Sequence, residues 1–353
     1  MTRPTIYTVA EAAGVSISTV SLVFNRPHKV RSATRDQVVA AAQRLGYRPP
    51  ARSEGARSQS PTVAVAAPFS SVPSVSLRLG GLLAKLSDFG ADVLVHDVAA
   101  PNLSEAPLLS ALPFRGGIDG VVVMGVPLAE STETRLVESQ TPCVVVDAVS
   151  RQLPSVTVDD EYAGHQVGIH LAEQGHRTVA FVHDQQRSGE YVSAGMLRLG
   201  GLNTGLTEVL GRGAGSSGSE PEVTLHALPD DGDPATARKV VERALASGCT
   251  AMFAQHDALA ARVLGALRTL DVRVPDDLAV VGCDDGPLAE ALDLTTVRQP
   301  FAESGRLAAE LLMTLLGGDA PLLRSVTLQA PLVVRGSTSR SSRVSSRGSR
   351  PAG

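Results

Sequence analysis

Small apolar residues recur at helical spacing through the first 45 residues of the chain. Between Thr8 and Asn25 the pattern predicts two short helices around a tight turn. Thr8 with Glu11 three residues later predicts a capping box, Gly14 suits the turn, and Ser16 is placed to cap the second helix. Five residues are placed to fill the angle between the helices: Val9, Ala13, Val15, Val20 and Val23. An ordinary helical hairpin and a helix-turn-helix both fit this pattern.

A third helix is predicted from Val30 to Leu45, with Ser32 as its N-cap and Gly46 as its stop. The three helices favour the helix-turn-helix interpretation, in which the second helix enters a DNA major groove. Its outer side carries the predicted base contacts, which are Ile17, Ser18, Ser21 and Leu22.

From Pro61 the pattern changes to apolar runs that alternate with helical stretches. Strands are predicted at 62–67, 92–96, 120–124 and 143–147, and again at 177–183, 223–227, 250–254 and 278–283. Helices are predicted between them, near 74–89, 104–112, 128–139, 160–174, 190–210, 234–247 and 256–270. Such alternation indicates parallel sheets that are covered on both faces. The fold class is therefore α/β, with an all-α headpiece before two doubly wound parallel sheets and a cleft between the two lobes.

Acidic residues and histidines follow the ends of the predicted strands. They are Asp147, His183 and Asp184, His256 and Asp257, and Asp284 and Asp285. Open α/β sheets bind ligands at the carboxyl ends of their strands, so these residues predict a small-molecule site. The alternative is that these side chains cap the following helices, and for Asp257 both interpretations stand.

The last part of the chain is expected to return to the first lobe. Residues 295–301 cross back, a helix follows from Phe301 to Leu316, and a strand at 325–335 closes the sheet. Residues 337–353 are rich in Ser and Arg and predict a disordered tail.

Composition adds a charge asymmetry to this picture. The chain has 353 residues and a net charge of −4, yet residues 1–60 carry nine Lys and Arg against three acidic residues. A basic head on an acidic body suits phosphate contact at one end. The predicted phosphate and positioning residues are Thr8, Ser16, Thr19, Asn25, Arg26, Lys29, Arg31 and Arg35.

Other classes of protein are disfavoured by composition and motifs. No apolar run is long enough to span a bilayer, and no secretory signal is visible, so a cytoplasmic location is expected. The three cysteines predict buried free thiols, without metal-ligand spacing. The GxGxxG string at Gly213, Gly215 and Gly218 follows a helix and is interpreted as a loop. No cofactor, metal or nucleophile–base pair is expected, and the protein is predicted not to be an enzyme.

The first 48 residues resemble the DNA-binding headpiece of the lactose-repressor (LacI/GalR) family of bacterial regulators. The resemblance is carried by VAEAAGVSISTVSLVFNRPHKVRSATRDQVVAAAQRLGYRP. It implies a headpiece at 1–48 and a hinge at 49–61, whose predicted residues are Arg52, Ala56 and Arg57. Leu22 stands where relatives often have an arginine that reads guanine. The linker also lacks the leucine that relatives insert into the minor groove, so the hinge is expected to be weaker.

The body of the chain is similar to the effector domain of the same family. Matching stretches include VTVDDEYAGHQVGIHLAEQGHRTVAFV, AQHDALAARVLGALRTLDVRVPDDLAVVGCDDGP and TTVRQPFAESGRLAAELLMTLL. The resemblance implies an effector domain at 62–336, with an N-lobe at 62–158 and 300–324 and a C-lobe at 159–295 and 325–336. The predicted effector-binding residues are Phe69, Asp147, Arg198, His256, Asp257, Asp284, Gln299 and Phe301.

These expectations combine into a sequence-specific transcriptional regulator, a repressor whose operator affinity is controlled by a small molecule bound between the lobes. Its expected partners are a pseudo-palindromic DNA operator and a second copy of the chain, with a tetramer as a further option. Carboxylates and a guanidinium suit the hydroxyls of a sugar, although a cationic metabolite or a nucleoside would also fit. The alternative function is an exported solute-binding protein that feeds a transporter.

Overall fold

A computed structural model describes residues 4–47, 60–72, 74–98, 107–185, 192–213, 223–231, 233–318 and 324–339. The described residues form two compact units. Of the described residues, unit 1 contains those within 4–158 and 300–328, and unit 2 contains those within 159–185, 192–299 and 329–339. Within unit 1 we distinguish the headpiece, residues 4–47, from the unit 1 body, which is the α/β remainder.

The headpiece has three helices, as predicted: α1 (Ile6–Ala12), α2 (Ile17–Asn25) and α3 (Ser32–Leu45), with a 3₁₀ turn at Pro27–Lys29. Val9, Val20 and Val38 are fully buried where the helices meet. Gly46 ends α3 with a left-handed backbone (φ +61°), a conformation that glycine adopts without a steric penalty.

Two of the predicted helix starts are wrong. Helix α1 is capped by Thr5, which forms the capping box with Thr8, so Glu11 takes no part. Helix α3 begins at Ser32, and its N-cap is Arg31, without a side-chain capping bond. Both errors are small shifts: Thr5 and Thr8 are alternative caps for α1, and α3 starts one residue earlier than a Ser32 cap would allow.

The unit 1 body is a six-stranded sheet in the order β11-β5-β4-β3-β1-β2, with every neighbouring pair parallel. Its strands are β1 (Thr62–Ala67), β2 (Asp92–Asp97), β3 (Gly120–Met124), β4 (Cys143–Val146), β5 (Ser155–Val158) and β11 (Ser325–Leu328). Its helices are α4 (Ser74–Ser87), α5 (Pro107–Ala111), α6 (Glu130–Glu138) and α12 (Phe301–Leu316), and a 3₁₀ turn lies at Leu112–Phe114. The central strands are fully buried, which explains their uninterrupted runs of valine and alanine.

Unit 2 repeats this topology in a sheet of order β12-β10-β9-β8-β6-β7. Its strands are β6 (Thr178–Asp184), β7 (Thr224–Asp230), β8 (Ala251–Ala254), β9 (Ala279–Asp284), β10 (Thr295–Arg298) and β12 (Leu332–Val333). Its helices are α7 (Asp160–Glu173), α8 (Ala194–Gly213), α9 (Pro234–Ala246), α10 (Asp257–Thr269) and α11 (Pro287–Ala291). Only the last strand differs in direction, because β12 pairs with β10 antiparallel.

The predicted alternation is confirmed, but the end of the chain differs from the prediction. The single strand expected at 325–335 is two strands, and β11 pairs with β5 in unit 1 while β12 pairs with β10 in unit 2. The N-lobe therefore extends through Leu328 rather than ending at 324. The expected tail also starts too early, since Ser337 and Thr338 are buried and bonded to Thr295.

Close helix pairs cover equivalent positions of the two sheets. In unit 1, α4 packs on α12, and a Cβ added at Gly81 or Gly305 would collide with the backbone of the opposite helix. In unit 2, α8 packs on α7, and Gly201 and Gly164 have the same role. Glycine at these contacts lets the helix backbones approach more closely than any side chain allows.

Among the described residues, no single helix is long and apolar enough to cross a membrane. The bent pair α1 and α2, with 105° between its helices, meets the length and composition criteria only when the two are taken together. The three cysteines are buried free thiols, as predicted.

Candidate functional site

The second helix of the headpiece presents an open outer face. Ser16 caps α2 as predicted, accepting a hydrogen bond from the Thr19 backbone N–H at 3.1 Å. Val20 and Val23 face the core, whereas Ile17 is 42% exposed and Leu22 is 36% exposed. Ser18 and Ser21 lie on the same side, with Ser18 exposed and Ser21 half-buried. The four predicted base-contacting residues therefore share one accessible helix face, which is the arrangement that major-groove reading requires.

Exposed cations lie beyond the carboxyl end of α2. Arg26, Lys29 and Arg31 are all exposed, so their charges are available to phosphates. Arg35 differs from the prediction, because it is buried on α3 and its guanidinium donates to the Ser32 hydroxyl. That arginine packs within the headpiece rather than facing solvent.

The remaining predicted positioning residues hold the ends of the headpiece helices. Thr8 exchanges hydrogen bonds with Thr5, and the Thr19 hydroxyl lies 2.8 Å from the Ser16 hydroxyl. The Asn25 amide donates to the Ser21 carbonyl at 3.0 Å. The predicted hinge residues Arg52, Ala56 and Arg57 lie outside the described residues.

A buried guanidinium organises the site predicted in unit 2. Arg198 of α8 donates from Nε and Nη2 to the Asp160 carboxylate, both at 2.8 Å, and from Nη1 to the Gln255 carbonyl at 2.7 Å. Asp160 opens α7, and Gln255 follows β8. Arg198 thus joins two helices to the carboxyl edge of the sheet. Sequence reasoning identified Arg198 but missed Asp160 and Gln255.

Two aspartates in unit 2 have raised pKa values. Burial raises the pKa of Asp284, the last residue of β9, to about 7, although nearby Arg198 acts to lower it. Near neutral pH this carboxyl group can therefore both donate and accept hydrogen bonds. Asp284 and Asp285 also have positive φ (139° and 57°), a strained backbone that is typical of binding sites.

Asp257 supports the loop after β9 instead of capping a helix. Its carboxylate accepts hydrogen bonds from the Thr296 hydroxyl at 2.6 Å and from the Gly286 backbone N–H at 3.2 Å. Burial raises its pKa as well. The N-cap of α10 is His256, one residue before Asp257.

His256 is held in one tautomer by its neighbours. Its Nδ1 accepts the Leu259 backbone N–H at 3.1 Å, so the proton must be on Nε2, which donates to Asp184 at 3.0 Å. Gln299 is also buried, and its Nε2 lies 3.4 Å from the Cys283 sulfur. Its Oε1 has no hydrogen-bond partner among the described residues and is therefore a candidate acceptor for a ligand hydroxyl.

Unit 1 contains a second buried arginine at the equivalent place. Arg78 of α4, whose side chain is 4% exposed, pairs with Asp147 at 2.8 Å and donates to the Ser304 hydroxyl at 2.9 Å. Asp147 follows β4 with positive φ (58°), and its side chain is 29% exposed. Arg78 therefore fixes the carboxylate that was predicted to bind the effector.

The two predicted aromatic residues are less available than expected. Phe301 is buried, and the Arg78 guanidinium lies 4.7 Å from the centre of its ring, so one ring face is occupied. Phe69 is half-buried and packs against the core of the unit 1 body.

A repeated hexapeptide was the signal that could have revealed Arg78. The sequence LRLGGL occurs at residues 77–82 and again at 197–202. Its arginines are Arg78 and Arg198, and its second glycines are Gly81 and Gly201, which make the close helix contacts. Since β1 and β6 hold the same place in their sheets, the repeat puts one guanidinium at the same position of each unit.

Both parts of this architecture match families of known proteins. Residues 5–50 match the family model of bacterial regulatory proteins of the lacI family, and residues 169–338 match that of the periplasmic binding protein-like domain. The transcriptional regulator MalR of Streptomyces coelicolor is 30% identical over 344 residues, which cover 94% of this chain and 95% of MalR. The chain belongs to the lacI family.

Solved structures of lacI-family proteins show the same fold. A complex of the transcriptional regulator CelR with cellobiose has 29% identity and a TM-score of 0.64, and the match covers 95% of this chain and 100% of that one. A lac repressor dimer bound to operator and the anti-inducer ONPF has 25% identity and a TM-score of 0.65, with 96% and 99% covered. This lacI-family protein is therefore a DNA-binding transcriptional regulator, and the alternative of a transporter's solute-binding protein is not favoured. Its relatives are regulators rather than enzymes.

Proposed function

We propose that this protein is a repressor that binds a pseudo-palindromic operator as a homodimer and responds to a carbohydrate. The observation that carries the DNA-binding half is the open face of α2, with exposed Ile17, Ser18 and Leu22 beside the cations Arg26, Lys29 and Arg31. Base contacts would give sequence preference, and phosphate contacts would give register and affinity. A regulator of this kind works in the cytoplasm, where its DNA is.

The carbohydrate proposal rests on the polar groups in unit 2. Arg198 supplies donors, Asp284 can donate or accept near neutral pH, and Gln299 has an unpartnered buried oxygen. Mixed donors and acceptors on rigid elements suit neutral hydroxyl groups, which need both. The CelR structure, similar to this chain, contains cellobiose. In unit 1 we add Arg78 as a positioning residue, because it holds the Asp147 carboxylate.

The homodimer proposal rests on an uncharged surface of unit 1. The outer face of α4 exposes Ser76, Leu77, Gly80, Leu83, Ala84 and Ser87, without a charged residue. Within the described residues β2 is an edge strand, and it adds exposed Leu94 and Val95 between the exposed Asp92 and Asp97 at its ends. An open strand edge beside an apolar helix face invites pairing with another chain, and a second copy placed by two-fold symmetry would cover both.

Replacing Leu83 by lysine should separate the dimer. The substitution places a charge on the outer face of α4, where the monomer leaves the side chain 40% exposed, so folding should change little. Sedimentation velocity should show the 36.6 kDa chain as a monomer, whereas the unsubstituted protein sediments at about twice that mass. Val149→Lys, at an exposed position of unit 1, is the matched control and should stay dimeric. A monomeric unsubstituted protein would overturn the dimer proposal.

Footprinting on fragments of the source genome tests the DNA-binding function. Purified full-length protein should protect sites with two related half-sites, spaced by one helical turn of about 10 base pairs or a multiple of it. Ser18→Ala with Ser21→Ala should change or weaken the preferred sequence without removing affinity for random DNA. Protection that is uniform along all fragments would contradict a sequence-specific regulator.

A further inference from the structure

A residue from the unit 1 body completes the hydrophobic core of the headpiece. Phe114, at the end of the 3₁₀ turn Leu112–Phe114, is buried in the same cluster as Val20 and Val23. Its ring stacks on Phe24 with 5.4 Å between ring centres, and Phe24 stacks on Tyr47 at 5.9 Å. Three aromatic rings in a row therefore connect the unit 1 body to the last turn of α2 and to the residue after the α3 cap.

Arg115 binds the carboxyl end of α2. Its Nε donates to the Phe24 carbonyl at 2.9 Å, and its Nη2 donates to the Asn25 carbonyl at 2.5 Å. The last carbonyls of a helix lack partners within the helix and form the negative end of its dipole, so a guanidinium is well suited to this place. Its Nη1 also lies 3.4 Å from the His96 ring nitrogens. Burial, followed by the Arg115 charge, lowers the pKa of His96, so this ring is neutral near pH 7.

A second contact joins α6 to α3. The Gln43 amide donates to the Glu138 carboxylate at 3.1 Å, and the Arg135 guanidinium lies 3.9 Å from Asp36. Both pairs consist of one headpiece residue and one residue of the unit 1 body. Opposite charges and matched hydrogen-bonding groups thus meet beside the aromatic contact.

This arrangement leaves the DNA-contacting face of the headpiece open. Ile17 and Leu22 remain exposed, as do Arg26, Lys29 and Arg31. Docking and DNA contact therefore use different faces of the headpiece. The part of the unit 1 body that contacts the headpiece is well packed. Its residues Leu112 and Leu136 share a buried cluster with Ala148, the neighbour of Asp147.

We propose that Phe114, Arg115, Arg135 and Glu138 form a headpiece-docking surface, whose partner is the headpiece of the same chain. The surface holds the headpiece in one orientation with its reading face outward. The headpiece is then positioned by a direct contact with the sensor body and not by the linker alone. This property goes beyond operator binding and does not depend on it.

Hydrogen–deuterium exchange of the full-length protein without DNA tests the docking surface. Docking favours the folded headpiece over its locally opened states. Losing the docking contact should therefore expose the headpiece amides to exchange more often. Arg115→Met removes both hydrogen bonds to α2 and keeps much of the side-chain volume. Exchange across residues 6–47 should become at least about tenfold faster, because the loss of a single charge-assisted hydrogen bond has about that effect and two are lost here. Arg151→Met, at an exposed arginine of unit 1, should leave the exchange unchanged.

A charge exchange provides the second test. Arg135→Asp faces Asp36 with a like charge and should also accelerate headpiece exchange, and adding Asp36→Arg should restore it. The proposal would be overturned if headpiece exchange in Arg115→Met stayed within twofold of that in the unsubstituted protein. It would also be overturned if the Arg135→Asp, Asp36→Arg double variant exchanged as fast as Arg135→Asp alone. Because no DNA is present, failure of docking is distinguishable from failure of operator binding, which only the footprint measures.

Discussion

Operator affinity should fall about 1,000-fold when the salt concentration rises from 50 to 200 mM, as expected for about six phosphate contacts. Each headpiece exposes three cations that we propose contact phosphates, namely Arg26, Lys29 and Arg31, and the proposed dimer would double that number. Each neutralised phosphate releases condensed counterions from the DNA, so the logarithm of the affinity falls linearly with the logarithm of the salt concentration. Fluorescence anisotropy of a labelled operator across a potassium chloride series measures this slope.

A variant that removes one charge tests whether the salt dependence of operator affinity arises from the headpiece. Lys29→Gln removes two contacts per dimer and should reduce the magnitude of the slope by about 2. Lys239→Gln removes the same charge from an exposed position of unit 2 and should leave the slope unchanged. A salt series that stays flat, or a Lys239→Gln effect as large as that of Lys29→Gln, would contradict the assigned role of the headpiece.

Asp160→Asn should destabilise unit 2 by about 3–5 kcal/mol, since removing one partner of a buried ion pair leaves the other charge uncompensated. Asp160 and Arg198 are both buried, and two guanidinium nitrogens of Arg198 donate to the same carboxylate oxygen. An amide oxygen can still accept a hydrogen bond, but it cannot neutralise the guanidinium, which does not lose its proton in proteins. Urea unfolding followed by circular dichroism measures the change in the free energy of unfolding.

Two further variants separate the ion pair from other effects of the substitution. Asp159→Asn makes the same chemical change at the N-cap of α7, where asparagine caps as well as aspartate, and should cost less than about 1 kcal/mol. Adding Arg198→Met to Asp160→Asn removes the stranded charge and should recover much of the lost stability. If Asp159→Asn and Asp160→Asn lowered the free energy of unfolding equally, the Asp160–Arg198 ion pair would not be a major source of stability.

The sequence predicted those parts of the fold that depend on local patterns. The helix-turn-helix spacing identified α1, α2 and α3, and the apolar runs identified the central strands such as β1 and β3. The short strands β5 and β10 were missed, and β11 and β12 were interpreted as one strand, because segments of two to four residues are too short to show a periodic pattern. Which sheet a terminal strand joins is decided by long-range packing, as β11 and β12 show.

The candidate site was predicted in outline from residues that follow strand ends. Asp147 follows β4 and Asp284 ends β9, whereas Arg198, which only the family resemblance indicated, lies in helix α8. The ion-pair partners of Asp147 and Arg198 come from distant segments. Asp160 is 38 residues from Arg198, and Ser304 is 226 residues from Arg78, so local spacing contains no sign of either pair. The LRLGGL repeat was visible, but its meaning depends on knowing that the two sheets share one strand order.

The most direct test of the account is the affinity of one operator for the full-length protein, measured with and without a carbohydrate that binds it. The operator is taken from the footprint, and the carbohydrate is the one that most raises the melting temperature of the purified protein. If unit 2 senses the ligand that controls the headpiece, saturating carbohydrate should change the operator affinity by at least about fivefold, the lower end of typical allosteric coupling. A carbohydrate that raises the melting temperature but leaves the operator affinity unchanged would contradict the account.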